Sequence, residues 1–93
     1  MIVGVLTVEL AVPDAGSLKD KRRVVQSLKR RLRNGFNVSV AEVAYNDQPR
    51  RCRLAIALVC SEARPVHAQL DKTVDLIRGT RGVTLLDYER ELL

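Results

Sequence analysis

Four stretches of this chain alternate apolar and polar residues with period two. Between them lie two stretches whose apolar residues recur with the period of a helix. Their order leaves few folds open. From Ile2 to Val12, the residues Ile2, Leu6, Val8, Leu10 and Val12 share one parity with Gly4, while Val3, Val5, Thr7, Glu9 and Ala11 share the other. That alternation predicts a strand, which the turn formers Pro13, Asp14 and Gly16 then break. Ser17 is placed to cap a helix, with Asp20 three residues on. Leu18, Val24, Val25, Leu28 and Leu32 follow within one arc of about 120° at ~100° per residue. Asn34-Gly35 is a suitable end for that helix.

Phe36 to Tyr45 reads as a second strand, whose apolar parity switches near Val40 and Ala41 and predicts a bulge there. Asn46 to Pro49 forms a hairpin-type turn. Arg51 to Cys60 alternates again, with Cys52, Leu54, Ile56, Leu58 and Cys60 on one side and Arg51, Arg53, Ala55, Ala57 and Val59 on the other. Ser61 can cap a second helix whose stripe is Val66, Leu70, Thr73, Val74 and Ile77, with Pro65 tolerable only in its first turn. Gly79 and Gly82 bracket its end, and Val83 to Leu92 is the last strand. Two βαβ units joined by a central hairpin describe the ferredoxin-like β-α-β-β-α-β fold, an α/β sandwich. Right-handed crossovers place both helices on one face of a four-stranded antiparallel sheet. The expected organisation is a single domain over residues 1–93.

Composition narrows the function. The chain has 93 residues, 46% of them hydrophobic, but its only aromatics are Phe36, Tyr45 and Tyr88. Val, Leu, Ile and Ala must therefore build the core. A net charge of +5 favours acidic partners: nucleic acid, anionic lipid or a phosphorylated ligand. No run approaches the ~18 apolar residues of a membrane span, and the N-terminal strand lacks the marks of a signal peptide. If Cys52 and Cys60 share one strand they lie about 26 Å apart, beyond the ~7 Å reach of a disulfide. Two free thiols point to a reducing, cytoplasmic setting.

Half of the sixteen Lys and Arg residues fall between Ser17 and Glu42. With Leu18 at 0°, Lys29, Arg22, Arg33, Lys19, Arg30 and Arg23 fall between about 20° and 140°, opposite the apolar stripe. No acid interrupts them. Such a face is either simply solvated or kept for an anionic partner, because like charges at i,i+4 repel by a few tenths of a kcal/mol each. These six residues form the candidate nucleic-acid surface. Lys21 is anomalous: near 300° it lies inside the apolar arc. It either snorkels past the core edge or joins Ser17 and Lys19 in an anion site at the helix N-terminus.

The stretch "SLKDKRRVVQSLKRRLRNGFNVSVAEV", preceded by "MIVG" and closed by "VTLLDYERELL", resembles the YlxP-like family of small bacterial domains of unknown function. The "SLK-acid-KR" start at Ser17 to Arg22 and the "FNVSVAE" segment at Phe36 to Glu42 carry the resemblance most specifically. It implies a ferredoxin-like fold and no established activity. Genes of that family often neighbour those of transcription-elongation, translation-initiation and ribosome-maturation factors, which implies contact with RNA or a ribosomal particle. The motif residues Ser17, Lys19, Lys21, Arg22, Asn37, Ser39 and Glu42 are the first to inspect.

Against these stand other chemistries. The sheet face away from the helices should carry Val3, Val5, Thr7, Arg53, Ala55, Ala57 and Val59, so it offers no aromatic platform for stacking bases. Arg50, Arg51 and Arg53 could add phosphate contacts. Any RNA binding would be led by the backbone. The same face, with Val3, Val5, Ala55, Ala57 and Val59, is a candidate homodimer surface or an ordinary sheet with scattered apolar residues. Acylphosphatases share the fold, but "PDAGSLKDK" lacks their glycine-glutamine-glycine loop. His67 has no nucleophile arranged beside it, and Asp71 at i+4 can pair with it. No Cys/His cluster has metal spacing. Asp87, Glu89 and Glu91 share one parity, as a solvated edge row or as the complement of a neighbouring subunit's basic helix. The expectation is a binding domain without catalytic residues, cofactor or metal.

Overall fold

The computed structural model describes residues Met1–Leu93. It contains β1 (Ile2–Ala11), α1 (Leu18–Gly35), β2 (Ser39–Ala44), β3 (Arg51–Cys60), α2 (Ala63–Arg78) and β4 (Thr84–Leu92). The strands form one sheet in the order β2-β3-β1-β4, every neighbouring pair antiparallel. This is the ferredoxin-like arrangement expected from the periodicities. No helix is long and apolar enough to cross a membrane.

Parity decides which side chains meet. Leu6, Val8 and Leu10 of β1 and Cys52, Leu54, Ile56 and Leu58 of β3 are buried under Val25, Leu28 and Leu32 of α1 and Val66, Leu70, Val74 and Ile77 of α2. Each such aliphatic side chain contributes roughly 1.5–3 kcal/mol on leaving water. Gly4 continues the inward parity of β1 because α2 passes close above it: a Cβ there would lie 2.3 Å from Val66 Cγ1. Buried Thr73 satisfies its hydroxyl on the Gln69 carbonyl at 2.8 Å.

The ends of the elements differ from expectation in instructive ways. Ser17 caps α1 as predicted, its Oγ accepting from Asp20 N at 3.1 Å, while Asp20 Oδ2 accepts from Gly16 N at 3.0 Å. The helix continues through Gly35 because Phe36 N still reaches Leu32 O. Strand β2 starts only at Ser39, since Val38 N turns back to Phe36 O at 3.0 Å. The register shift lies between Glu42 and Ala44, not at Val40 and Ala41. Val40 is buried, Glu42 is half-buried, and the extra residue is Val43, which is exposed. Glu62, rather than Ser61, occupies the N-cap of α2 and makes no side-chain cap bond. Pro65 then falls within the first turn, where an amide hydrogen has no helical partner to lose.

Candidate binding surfaces and a buried lysine

The six cations predicted on α1 do share its outward side. Lys19, Arg22, Arg23, Arg30 and Arg33 are exposed and Lys29 is half-buried. The four salt bridges in the chain are Lys21–Glu42, Arg51–Glu9, Arg53–Glu9 and Arg90–Asp71. None involves the six, although Arg33 donates to Val40 O at 3.2 Å. The stripe from Lys19 to Arg33 extends about 21 Å at 1.5 Å per residue.

The anion site expected from Ser17, Lys19 and Lys21 is not assembled. Lys21 is 1% exposed. Its Nζ donates to Tyr45 O at 2.7 Å and Arg51 O at 3.0 Å, and lies 2.8 Å from Glu42 Oε2. Two of the three ammonium protons go to these carbonyls, and the Glu42 carboxylate beside it supplies the counter-charge. Snorkelling is equally excluded, because the ammonium turns inward. Ser17 Oγ and the Asp20 carboxylate already occupy the helix N-terminus. Of the two lysines only Lys19 remains exposed and without an ion pair.

Lys21 instead shapes the hairpin after β2. Tyr45 adopts φ +64°, the left-handed region that non-glycine residues enter at a cost of about 1–2 kcal/mol. Its carbonyl accepts from both Gln48 N and Lys21 Nζ, which hold that conformation. The Tyr45 ring then receives two guanidinium groups, Arg51 at 5.0 Å and Arg53 at 5.3 Å from its centroid. Arg53 also binds the Glu9 carboxylate, its cross-strand neighbour, which together with Arg51 makes Glu9 a shared anchor. This hydrogen bond raises the Arg53 pKa. The sequence reading missed Tyr45 and the Lys21–Glu42 pair. A signal existed for Lys21, which sat inside the apolar arc of α1; Glu42 shares the inward parity of Val40 only because the register shift falls after it.

Next to that pair lies Cys52, fully buried and free, whereas Cys60 is free and half-buried. Burial, then the Glu42 carboxylate, push the Cys52 thiol up to about 12. It is a packing group rather than a nucleophile. His67 accepts or shares a contact with Arg90 at 3.2 Å, and Arg90 donates to Asp71 at 2.6 Å, tying α2 to β4. Neither group has the partners of a catalytic dyad. No three His, Cys, Asp or Glu side chains gather to hold a metal ion.

The open sheet face is built in level rows by the register. Val59 pairs with Val3, which also pairs with Leu93 through two backbone hydrogen bonds. Ser39, Ala57, Val5 and Glu91 form the next row, then Ala41, Ala55, Thr7 and Glu89, then Ala44, Arg53, Glu9 and Asp87. Apart from Glu91 at the β4 edge, one end of the face is thus apolar and the other charged. Val3, Val5, Ala55 and Ala57 are half-buried by their neighbours, while Val59 is exposed. A notch of about 260 Å³ opens in the charged end, lined by Thr7, Glu9, Arg53, Asp87, Tyr88 and Glu89.

Comparison with known proteins agrees with this architecture. A de novo designed protein with ferredoxin fold, LFR1 1, superimposes with a TM-score of 0.59 at 11% identity, covering 99% of this chain and 85% of the design. At that identity the likeness concerns the fold alone. The uncharacterized protein YlxP of Bacillus subtilis (strain 168) is 36% identical over 76 residues, spanning 82% of this chain and 83% of its own length. Residues 3–90 match the family described as protein of unknown function (DUF503). The chain belongs to the DUF503 family.

Proposed function

We propose that this chain is a cytosolic binding domain without catalytic chemistry of its own, and that it engages RNA or a ribosomal particle through the basic face of α1. The observation that carries this reading is the separation of charge across the thickness of the domain. The six α1 cations are free of ion pairs on one side, and Glu9, Asp87, Glu89 and Glu91 gather on the other. A phosphate backbone is attracted to the helix side and repelled by the sheet. Neither tyrosine offers a free ring to a base: Tyr45 lies beneath two arginines, and Tyr88, on the helix side of β4, lies beneath Arg78 of α2. Recognition is therefore backbone-led, with little sequence preference.

The test is retention of the protein on total bacterial RNA and ribosomal particles across a salt series. Contacts to four to six phosphates give a log–log salt slope of about −3 to −5. Replacing Arg22, Arg23, Arg30 and Arg33 by Glu, in a protein that keeps its circular dichroism spectrum, should abolish retention. Equal retention of both proteins would remove the helix from consideration.

A second reading, self-association through Val3, Val5, Ala55, Ala57 and Val59, is favoured by the contiguity of these residues across β1 and β3. It uses the opposite side of the domain and does not compete with the first.

A further inference from the structure

Resting on that second reading, the geometry points to a specific arrangement: two copies stacked open face to open face about a two-fold axis that runs parallel to the strands. The rows decide the direction of the axis. An axis across the strands through the middle of the face would lay the apolar end, Val3, Val5, Ala57 and Val59, over the charged end of the second copy. That would desolvate Glu9 and Arg53 against methyl groups. An axis along the strands keeps every row at its own height, so apolar rows meet apolar rows.

The same operation exchanges the columns of the sheet. In the order β2-β3-β1-β4, β3 of one copy comes to lie over β1 of the other, and β2 over β4. Arginines and carboxylates are already divided by column. Arg51 and Arg53 stand on β3, whereas Glu9 stands on β1 and Asp87 and Glu89 on β4. The rotation therefore sets the arginines of each copy opposite the acidic notch of the other, at matching height. Within one copy Arg53 and Arg51 both pair with Glu9, so the other two carboxylates of the notch, Asp87 and Glu89, have no cation of their own and are left for a second copy's arginines. Tyr45 fixes Arg51 and Arg53 on its ring and limits the side-chain entropy lost on docking. Four strands about 4.8 Å apart and some 30 Å long give a footprint of roughly 570 Å² per copy. The total lies at the low end of specific interfaces, so the dimer dissociates on dilution. Both α1 faces remain outward, on opposite sides of the pair.

Charge reversal with complementation tests the arrangement. One variant carries Arg51→Glu and Arg53→Glu, the other Asp87→Lys and Glu89→Lys. Each is nuclease-treated, checked by circular dichroism and examined by sedimentation velocity from about 1 to 500 µM near physiological salt. The wild type should be dimeric at the upper end. Each variant alone should be at least tenfold weaker, and their equimolar mixture should regain the dimer, because both half-interfaces then pair a cation with an acid. Ala57→Arg, on the outer surface of a central strand, should give a folded monomer and serves if either reversal fails to fold. A monomeric wild type overturns self-association altogether. A wild-type dimer that Ala57→Arg or the reversals leave intact, or variants that do not complement, overturns this arrangement while leaving self-association through another surface.

Discussion

Replacing Lys21 with Met keeps the bulk of the stem but removes the ammonium from between its two carbonyl acceptors and the Glu42 carboxylate. The Arg51 carbonyl loses its Lys21 bond, the Tyr45 carbonyl keeps only Gln48 N, and Glu42 is left 18% exposed without its counter-charge. Removing one partner of a buried pair costs about 3–5 kcal/mol. Water reaches the edge of Glu42, so the lower end, about 3 kcal/mol, applies. A domain of this size has a total stability of roughly 5–14 kcal/mol, so the variant should still fold. At 4–8 °C per kcal/mol the loss corresponds to a melting point lower by about 12–24 °C. Urea unfolding of Lys21→Met, Glu42→Leu and the double variant would close a thermodynamic cycle. The double variant should lose less than the sum of the singles, since it strands no charge. Hydrogen exchange supplies a local readout: amides from Ala44 to Arg53 should lose protection in Lys21→Met beyond the global change, because Tyr45 is released from its left-handed conformation. A Lys21→Met protein within about 1 kcal/mol of wild type, or strict additivity in the cycle, would refute the assignment of Lys21 as the peg between α1 and the hairpin.

Gly4→Ala should destabilise the fold by about 1–3 kcal/mol through overpacking against Val66, and the companion change Val66→Ala should recover part of the loss; chemical denaturation of the pair checks this. Ser17→Ala removes the cap on Asp20 N and should cost ~1 kcal/mol, read in the same assay. Cys52, raised to about 12 from 9.0, should resist alkylation in the native protein at pH 8 while half-buried Cys60 reacts, and a denaturant should release both thiols. The same shift has a pH consequence. Above pH 9 the unfolded chain releases the Cys52 proton and the folded chain keeps it, so this group's contribution to stability is intact below about 9 and declines as pH rises towards 12. The decline should not exceed about 1.4 kcal/mol per pH unit, and Cys52→Ala should remove that component from the alkaline limb of a stability profile.

Much of the molecule was legible in the residues because its rules are local. Alternation along Ile2–Ala11 and Arg51–Cys60 assigned each side chain to a sheet face, since successive residues of a strand must point to opposite sides. The turn of a helix is equally local, so the outward arc of α1 and the Ser17 cap followed from spacing alone. What spacing could not decide was the partner of any charged group across the fold. Lys21 and Glu42 lie on consecutive elements, and their pairing depends on how α1 lies over β2 and on a bulge at Val43 that turns the Tyr45 carbonyl inward. The alternation suggested that bulge three residues early, because an exposed valine on an edge strand carries the same apolar mark as a buried one. The level rows of the open face likewise exist only once β1, β3 and β4 are in register. Register brings Glu9 beside Arg53 and Asp87 from more than forty residues away. Periodicity dictates the faces of each element; only their assembly determines which charges are neutralised and which remain free to bind.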